Sequence, residues 1–243
     1  MSRASGEKLS TNSSKREGSL ALIFDAIHNG LIVSCQATAG TPMDTPAFIT
    51  AQALTVESAG AKAIRAEGLE NVRSISKHVK IPVIGLIKSF TTDSQVYITP
   101  TVDDVLGLVD AGADIVAVDA TQRSRLGGVS LKNFYLEVRE RTSIPMLADI
   151  DSFENALYAQ ELGFDLIATT LNGYTDEPTI GLPNLDLVAE IAKEVRIPII
   201  AEGGFATPGQ VQQAIKNGAW AVCVGTAITN PYLTTQYFIK EAF

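Results

Sequence analysis

One phrase recurs three times along the chain: Ile-Pro, an apolar run, then a single charge. It is found at Ile81–Lys88, Ile144–Asp149 and Ile197–Glu202. Each copy reads as a Pro-started strand buried on both faces, as in a parallel sheet. A charge ending such a strand is costly to desolvate unless it has a partner or a task. A second phrase interleaves with the first. It consists of a glycine, a short step and another apolar strand, with the glycines at 60, 112, 163 and 218. Each glycine is expected to close the preceding helix in the left-handed conformation. The glycines recur about every fifty residues, and a repeat of that length holding two strands and two helices is a pair of βα units.

Counted this way, eight strands end near Gln36, Arg65, Lys88, Asp119, Asp149, Thr170, Glu202 and Gly225. Helical patterns follow them at roughly 47–59, 69–78, 101–110, 130–141, 152–161, 184–194, 208–217 and 233–242. The alternation predicts an α/β protein made of one (β/α)8 TIM barrel over residues 21–243. Residues 1–20 are polar and Ser-rich and are expected to form a disordered tail. Ala21–His28 is amphipathic and stops at Asn29-Gly30, which suits a plug for the closed end of the barrel. An open doubly wound sheet is the competing architecture. It calls for a Gly-rich phosphate turn after the first strand, and Gln36-Ala-Thr-Ala-Gly40 matches that poorly.

Composition narrows the function classes. A net charge of −8 argues against a nucleic-acid surface. No apolar run approaches the ~20 residues that span a bilayer. Residues 1–20 lack the apolar core of a secretory signal. Cys35 and Cys223 sit inside apolar runs and read as buried free thiols, so a cytoplasmic protein is expected. His28 and His78 are placed on helices away from the strand ends, and no Cys or His cluster has ligand spacing, so no metal site is expected. Trp220 reads as a core residue.

Active sites of such barrels lie at the carboxyl ends of the strands. Polar residues there are ordinary one at a time, because strand ends meet water. Here, however, a whole set of them caps strands whose interiors are nearly free of charge. Lys88 and Glu202 form the natural acid–base pair, with Lys88 enclosed and its pKa lowered toward neutrality. Lys88 also suits a Schiff base, or a structural salt bridge to Asp149 or Glu202. Arg65 offers a planar fork for an anionic or carbonyl oxygen. Gly203-Gly204 and Gly225-Thr226 follow the seventh and eighth strands, where barrels of this kind cradle phosphate.

The motifs also run in a specific order. They are Leu31–Ala37, Ala63–Gly68, Gly85–Lys88, Val96–Thr101, Asp119–Arg123, Ala148–Ile150, Thr169–Thr175, Ala201–Gly203 and Val224–Thr229. From about residue 30 to its end the chain resembles the N-acetylmannosamine-6-phosphate 2-epimerase family. The resemblance implies an isomerase that interconverts N-acetylmannosamine 6-phosphate and N-acetylglucosamine 6-phosphate in sialic-acid and amino-sugar catabolism. It implies no metal or nucleotide cofactor, and a homodimer. It gives Lys88 the C2 proton and Glu202 the support of that lysine. Gln36, Arg65 and Asp149 are implied to contact the sugar, and Thr170 stands with them. The family commonly has arginine where this chain has Gly204 and Asn230, so backbone amides at Gly203, Gly204, Gly225 and Thr226 are expected to hold the phosphate. The rival functions are another phosphosugar isomerase, a Schiff-base aldolase on the same barrel and a non-catalytic sugar-phosphate binder. The binder has no need of Lys88, Glu202 and Asp149 together.

Overall fold

The strands follow one another around a closed ring, each parallel to the next. A computed structural model, which describes residues 20–175 and 181–243, places β1 (Gly30–Cys35), β2 (Ala63–Glu67), β3 (Val83–Leu86) and β4 (Ile115–Asp119) in sequence order. They continue with β5 (Met146–Asp149), β6 (Leu166–Ala168), β7 (Ile199–Glu202) and β8 (Ala221–Val224), and β8 pairs with β1 to close the barrel. The helices are α1 (residues 20–27), α2 (Pro46–Ser58), α3 (Leu69–Ser76), α4 (Val102–Ala111) and α5 (Leu131–Arg141). After them come α6 (Phe153–Leu162), α7 (Leu185–Glu194), α8 (Pro208–Lys216), α9 (Thr226–Thr229) and α10 (Pro231–Ala242). The fold is therefore the predicted (β/α)8 barrel. The proposed tail falls on residues 1–19, outside the described residues. Leu20, assigned to that tail by the sequence reading, is already helical.

Local chemistry sets the boundaries. Thr45, Thr101, Ser130, Ser152, Asn184, Thr207 and Asn230 each accept a backbone N–H in the first turn of the helix that follows. Gly112 and Gly163 close α4 and α6 with φ of 93° and 97°, a conformation costly for residues with a Cβ.

Successive strand residues point alternately inward and outward. Outward residues such as Ile64, Val116, Val118 and Ile167 pack under the helices. Inward residues Ile32, Ile84, Ile115, Leu147, Leu166 and Ile200 fill the barrel interior. Ile27 of α1 is fully buried against this layer, with Ile23 and Phe24 beside it, so α1 plugs the amino end. The Trp220 indole N–H donates to the Phe24 carbonyl at 2.9 Å, and its ring stacks on His28 at 4.0 Å. His28 and His78 lie just beyond the ends of their helices. At the opposite end the inward residues become polar: Arg65 and Glu67, Asp119, Asp149, Thr170 and Glu202.

Candidate active site

The carboxyl ends enclose a cavity of about 620 Å³. Gln36, Arg65, Lys88, Thr170, Glu202, Gly203, Gly204, Gly225 and Thr226 all line it. Asp149 does not. It is fully buried behind Arg65, where its carboxylate takes Arg65 Nη1 at 3.1 Å and Nη2 at 2.6 Å. Arg65 Nε lies 3.4 Å from Glu202 Oε1. The fork expected to hold a substrate oxygen is thus already engaged by protein carboxylates. The salt bridge considered for Lys88 is made by Arg65 instead.

Thr170 joins the two acids. Its hydroxyl is 2.6 Å from Asp149 Oδ1 and 3.2 Å from Glu202 Oε2. Burial pushes the Glu202 carboxyl above the usual carboxylate range, and Asp149 adds to this, while Arg65 and Thr170 oppose it. Burial alone would lower the Arg65 pKa, but Asp149 and Glu202 outweigh it and hold the guanidinium firmly charged. One guanidinium thus faces two carboxylates, of which Glu202 lines the cavity and Asp149 does not.

Lys88 stands at the rim and is exposed, not enclosed as the sequence suggested. The cause is the chain beyond β3. It doubles back, so that Lys88 bridges Ile98 in antiparallel fashion and Ser89 N donates to the Tyr97 carbonyl at 2.9 Å. The Lys88 backbone N–H faces Glu67 Oε1 at 3.4 Å.

Glu67, Tyr97 and Tyr174 are among the cavity residues that escaped the sequence reading. The signal for Glu67 was available, because it lies two residues after Arg65 and so shares its face of β2. The predicted strand simply stopped too early. Tyr97 and Tyr174 sit on connections, where no periodicity announces them. Burial pushes the Tyr97 phenol up to about 12, with Asp119 adding to the shift. Cys35 and Cys223 are free and buried; burial raises the Cys35 thiol to about 12 and lifts Cys223 as well.

The turns after β7 and β8 are built on close approach. Gly204 has φ of 72°, and a Cβ there would meet Leu182 Cβ at 2.4 Å. A Cβ on Gly225 would meet the Gln36 amide nitrogen at 2.5 Å. Asn230 is buried and does not line the cavity. Its Oδ1 accepts Leu233 N at 3.1 Å and lies 3.3 Å from Thr38 Oγ1. Among the described residues, no three His, Cys, Asp or Glu side chains are grouped to hold a metal ion. No helix among them is long and apolar enough to cross a membrane.

Fold and site together define a (β/α)8-barrel protein with acid–base groups around a carboxyl-end cavity. Comparison with known proteins places it more narrowly. The family described as "Putative N-acetylmannosamine-6-phosphate epimerase" (NanE) matches residues 49–242. A Caldanaerobacter subterraneus subsp. tengcongensis protein named "Putative N-acetylmannosamine-6-phosphate 2-epimerase" is 45% identical over 219 residues, 89% of this chain and 92% of its own. A Klebsiella pneumoniae subsp. pneumoniae protein of the same name is 46% identical over 202 residues, covering 83% and 85%. The solved N-acetylmannosamine-6-phosphate 2-epimerase from Clostridium perfringens superposes with a TM-score of 0.85 at 35% identity, covering 90% of this chain and 96% of that one. The chain belongs to the NanE family.

Proposed function

We propose that this chain interconverts N-acetylmannosamine 6-phosphate and N-acetylglucosamine 6-phosphate by moving the proton at C2. One observation carries the reading: Lys88 at the end of β3 and Glu202 at the end of β7 line one cavity from opposite sides, with Arg65 bonded to Glu202 between them. Family membership supports the same reaction, and with it a place in sialic-acid and amino-sugar catabolism.

The C2 proton is acidic only beside a carbonyl, so the open-chain aldehyde is the reacting form. Lys88, as the amine, takes the proton while the C–H electrons move into C1–C2 and the charge collects on O1. The Lys88 ammonium returns a proton to the other face of C2 as the C1 carbonyl re-forms, which gives the epimer and frees the amine. Glu202, whose carboxyl is poised high, supports Lys88 from across the cavity. Arg65 and Thr170 fix Glu202, and Asp149 fixes Arg65, so Asp149 acts at one remove from the sugar. Gln36 reaches Thr226 Oγ1 at 3.4 Å and presents its amide beside the backbone of Gly203, Gly204 and Gly225, where the phosphate lies.

The free buried thiols agree with a cytoplasmic setting. A homodimer is supported by α10, which buries none of its residues and leaves Leu233, Tyr237, Phe238 and Ile239 exposed. The groove beside it, about 540 Å³ between α2 and α9, is lined by Phe48, Val56 and Ile228.

Proton NMR in heavy water tests the reaction. Wild type should epimerise the sugar phosphate and place deuterium at C2, and Lys88→Met should lose about 10²–10⁴-fold in turnover. More than a tenth of wild-type activity in that variant removes Lys88 from the mechanism.

A further inference from the structure

We propose that the Tyr97 hydroxyl donates a hydrogen bond to O1 of the open-chain sugar while C2 lacks its proton, which makes Tyr97 a further catalytic residue of the C2 chemistry proposed above, on which this assignment rests. When the proton leaves C2, the C–H electron pair moves into C1–C2 and the carbonyl electrons move onto O1. The enolate oxygen then needs a fixed donor. C1 adjoins C2, so O1 lies on the Lys88 side of the cavity.

The other donors around the cavity are engaged or misplaced. Each nitrogen of Arg65 has a carboxylate oxygen within 3.4 Å. The Thr170 hydroxyl lies between Asp149 and Glu202. Gln36 and Thr226 meet each other at the β1 and β8 ends, beside the turns assigned to the phosphate. Tyr174 is 56% exposed.

Tyr97 belongs to the hairpin that carries Lys88. Its carbonyl accepts Ser89 N at 2.9 Å, and the next residue, Ile98, bridges Lys88. The Ile98 carbonyl in turn accepts Asp119 N at 3.0 Å, so Tyr97 stands between the ends of β3 and β4. Its ring packs on the apolar layer of the barrel interior and stacks on Phe90, with centroids 5.0 Å apart. The Arg123 guanidinium lies 5.7 Å from the ring centroid and is itself held by Asp119 at 2.6 Å. The ring is thus fixed, yet its hydroxyl lines the cavity and has no hydrogen bond among the described residues. Burial raises the phenol to about 12, with Asp119, Asp149 and Tyr174 adding to the shift and Arg123 opposing it. Near neutral pH it is therefore a donor that keeps its proton. O1 receives a hydrogen bond, and the phenol is unchanged when the carbonyl re-forms.

Tyr97→Phe removes one oxygen and no hydrogen bond within the protein, so its melting curve should match that of wild type. With N-acetylmannosamine 6-phosphate in heavy water, followed by proton NMR, its kcat should fall about 10²–10³-fold at little cost in KM. Deuterium entry at C2 should slow by the same factor, because both outcomes pass through the same enolate. Difluorotyrosine at position 97 keeps the ring and hydroxyl but ionises at lower pH, and a phenolate cannot donate. Its kcat should fall away on the alkaline side at a pH where wild type stays level, a change that a merely structural ring would not produce. More than a tenth of wild-type kcat in Tyr97→Phe, or a fluorinated variant whose pH profile follows wild type, overturns the proposal and leaves the C2 reading standing. If wild type places no deuterium at C2, the C2 reading falls and takes this one with it.

Discussion

Two buried arginines sit at the same end of the barrel and live in opposite circumstances. Arg65 meets carboxylates from two strands, and each of its three nitrogens has a carboxylate oxygen within 3.4 Å. Arg125, 3% exposed, gives Nη2 to the Asp119 carbonyl and lays its guanidinium 4.9 Å over the Phe134 ring. Its Nε and Nη1 have no partner among the described residues. Nearby Asp119 is occupied elsewhere, taking Thr121 Oγ1 at 2.7 Å and Arg123 Nη2 at 2.6 Å. Burial therefore pulls the Arg125 pKa down to about 10, Arg123 adding to the fall and Asp119 opposing it. Burial of a charge alone does not mark a site. The compensated cluster faces the cavity, and the under-compensated one packs beneath a loop.

The contrast can be broken at three points. Asp149→Ala strands Arg65 beside Glu202 alone. Breaking a buried pair costs about 3–5 kcal/mol, and a chain of this length should lose roughly 10 °C in Tm. A loss below about 1 kcal/mol in chemical denaturation would show that the Arg65 cluster is no more committed than the other. Glu202→Gln comes next. It should lower kcat by about 10²-fold with little change in KM, since the lost charge matters mainly in the transition state. It should also flatten the pH dependence of stability. A carboxyl raised in the folded state binds its proton more tightly there, so wild-type stability falls as pH climbs from the ordinary carboxylate range toward neutrality. Glutamine does not titrate, and parallel melting curves across that window would contradict the assigned shift. Arg125→Met should do least. It removes two unsatisfied donors along with one bond and should stay within about 1 kcal/mol of wild type, with unchanged turnover. A loss as large as that of Asp149→Ala would erase the distinction between the two clusters.

Most of the barrel was legible because period and punctuation agree. The Ile-Pro runs fix strands three, five and seven, and the recurrent glycines fix the starts of strands two, four, six and eight. Polar caps such as Thr101 and Thr207 start helices where the apolar period begins. The site was legible as a set of strand ends. What it lacked was partnership. Nothing local in Ala63–Gly68 says that Arg65 will turn to Asp149, a contact made across three strands of the closed ring. The enclosure expected for Lys88 failed for a similar reason, since a hairpin joining Lys88 to Ile98 depends on a tertiary turn that hydrophobic pattern does not encode. Glu67 was lost to a boundary placed two residues short.

The helical plug at the amino end has a kinetic meaning. With Ile27 seated on the apolar layers and Trp220 tied to Phe24, the barrel is closed at its amino end. Two epimers that differ at one stereocentre must enter and leave the carboxyl-end cavity in turn. Each is then a competitive inhibitor of the other's conversion. The ratio of their kcat/KM values is set by the equilibrium between the sugars in free solution, whatever the protein does to either one.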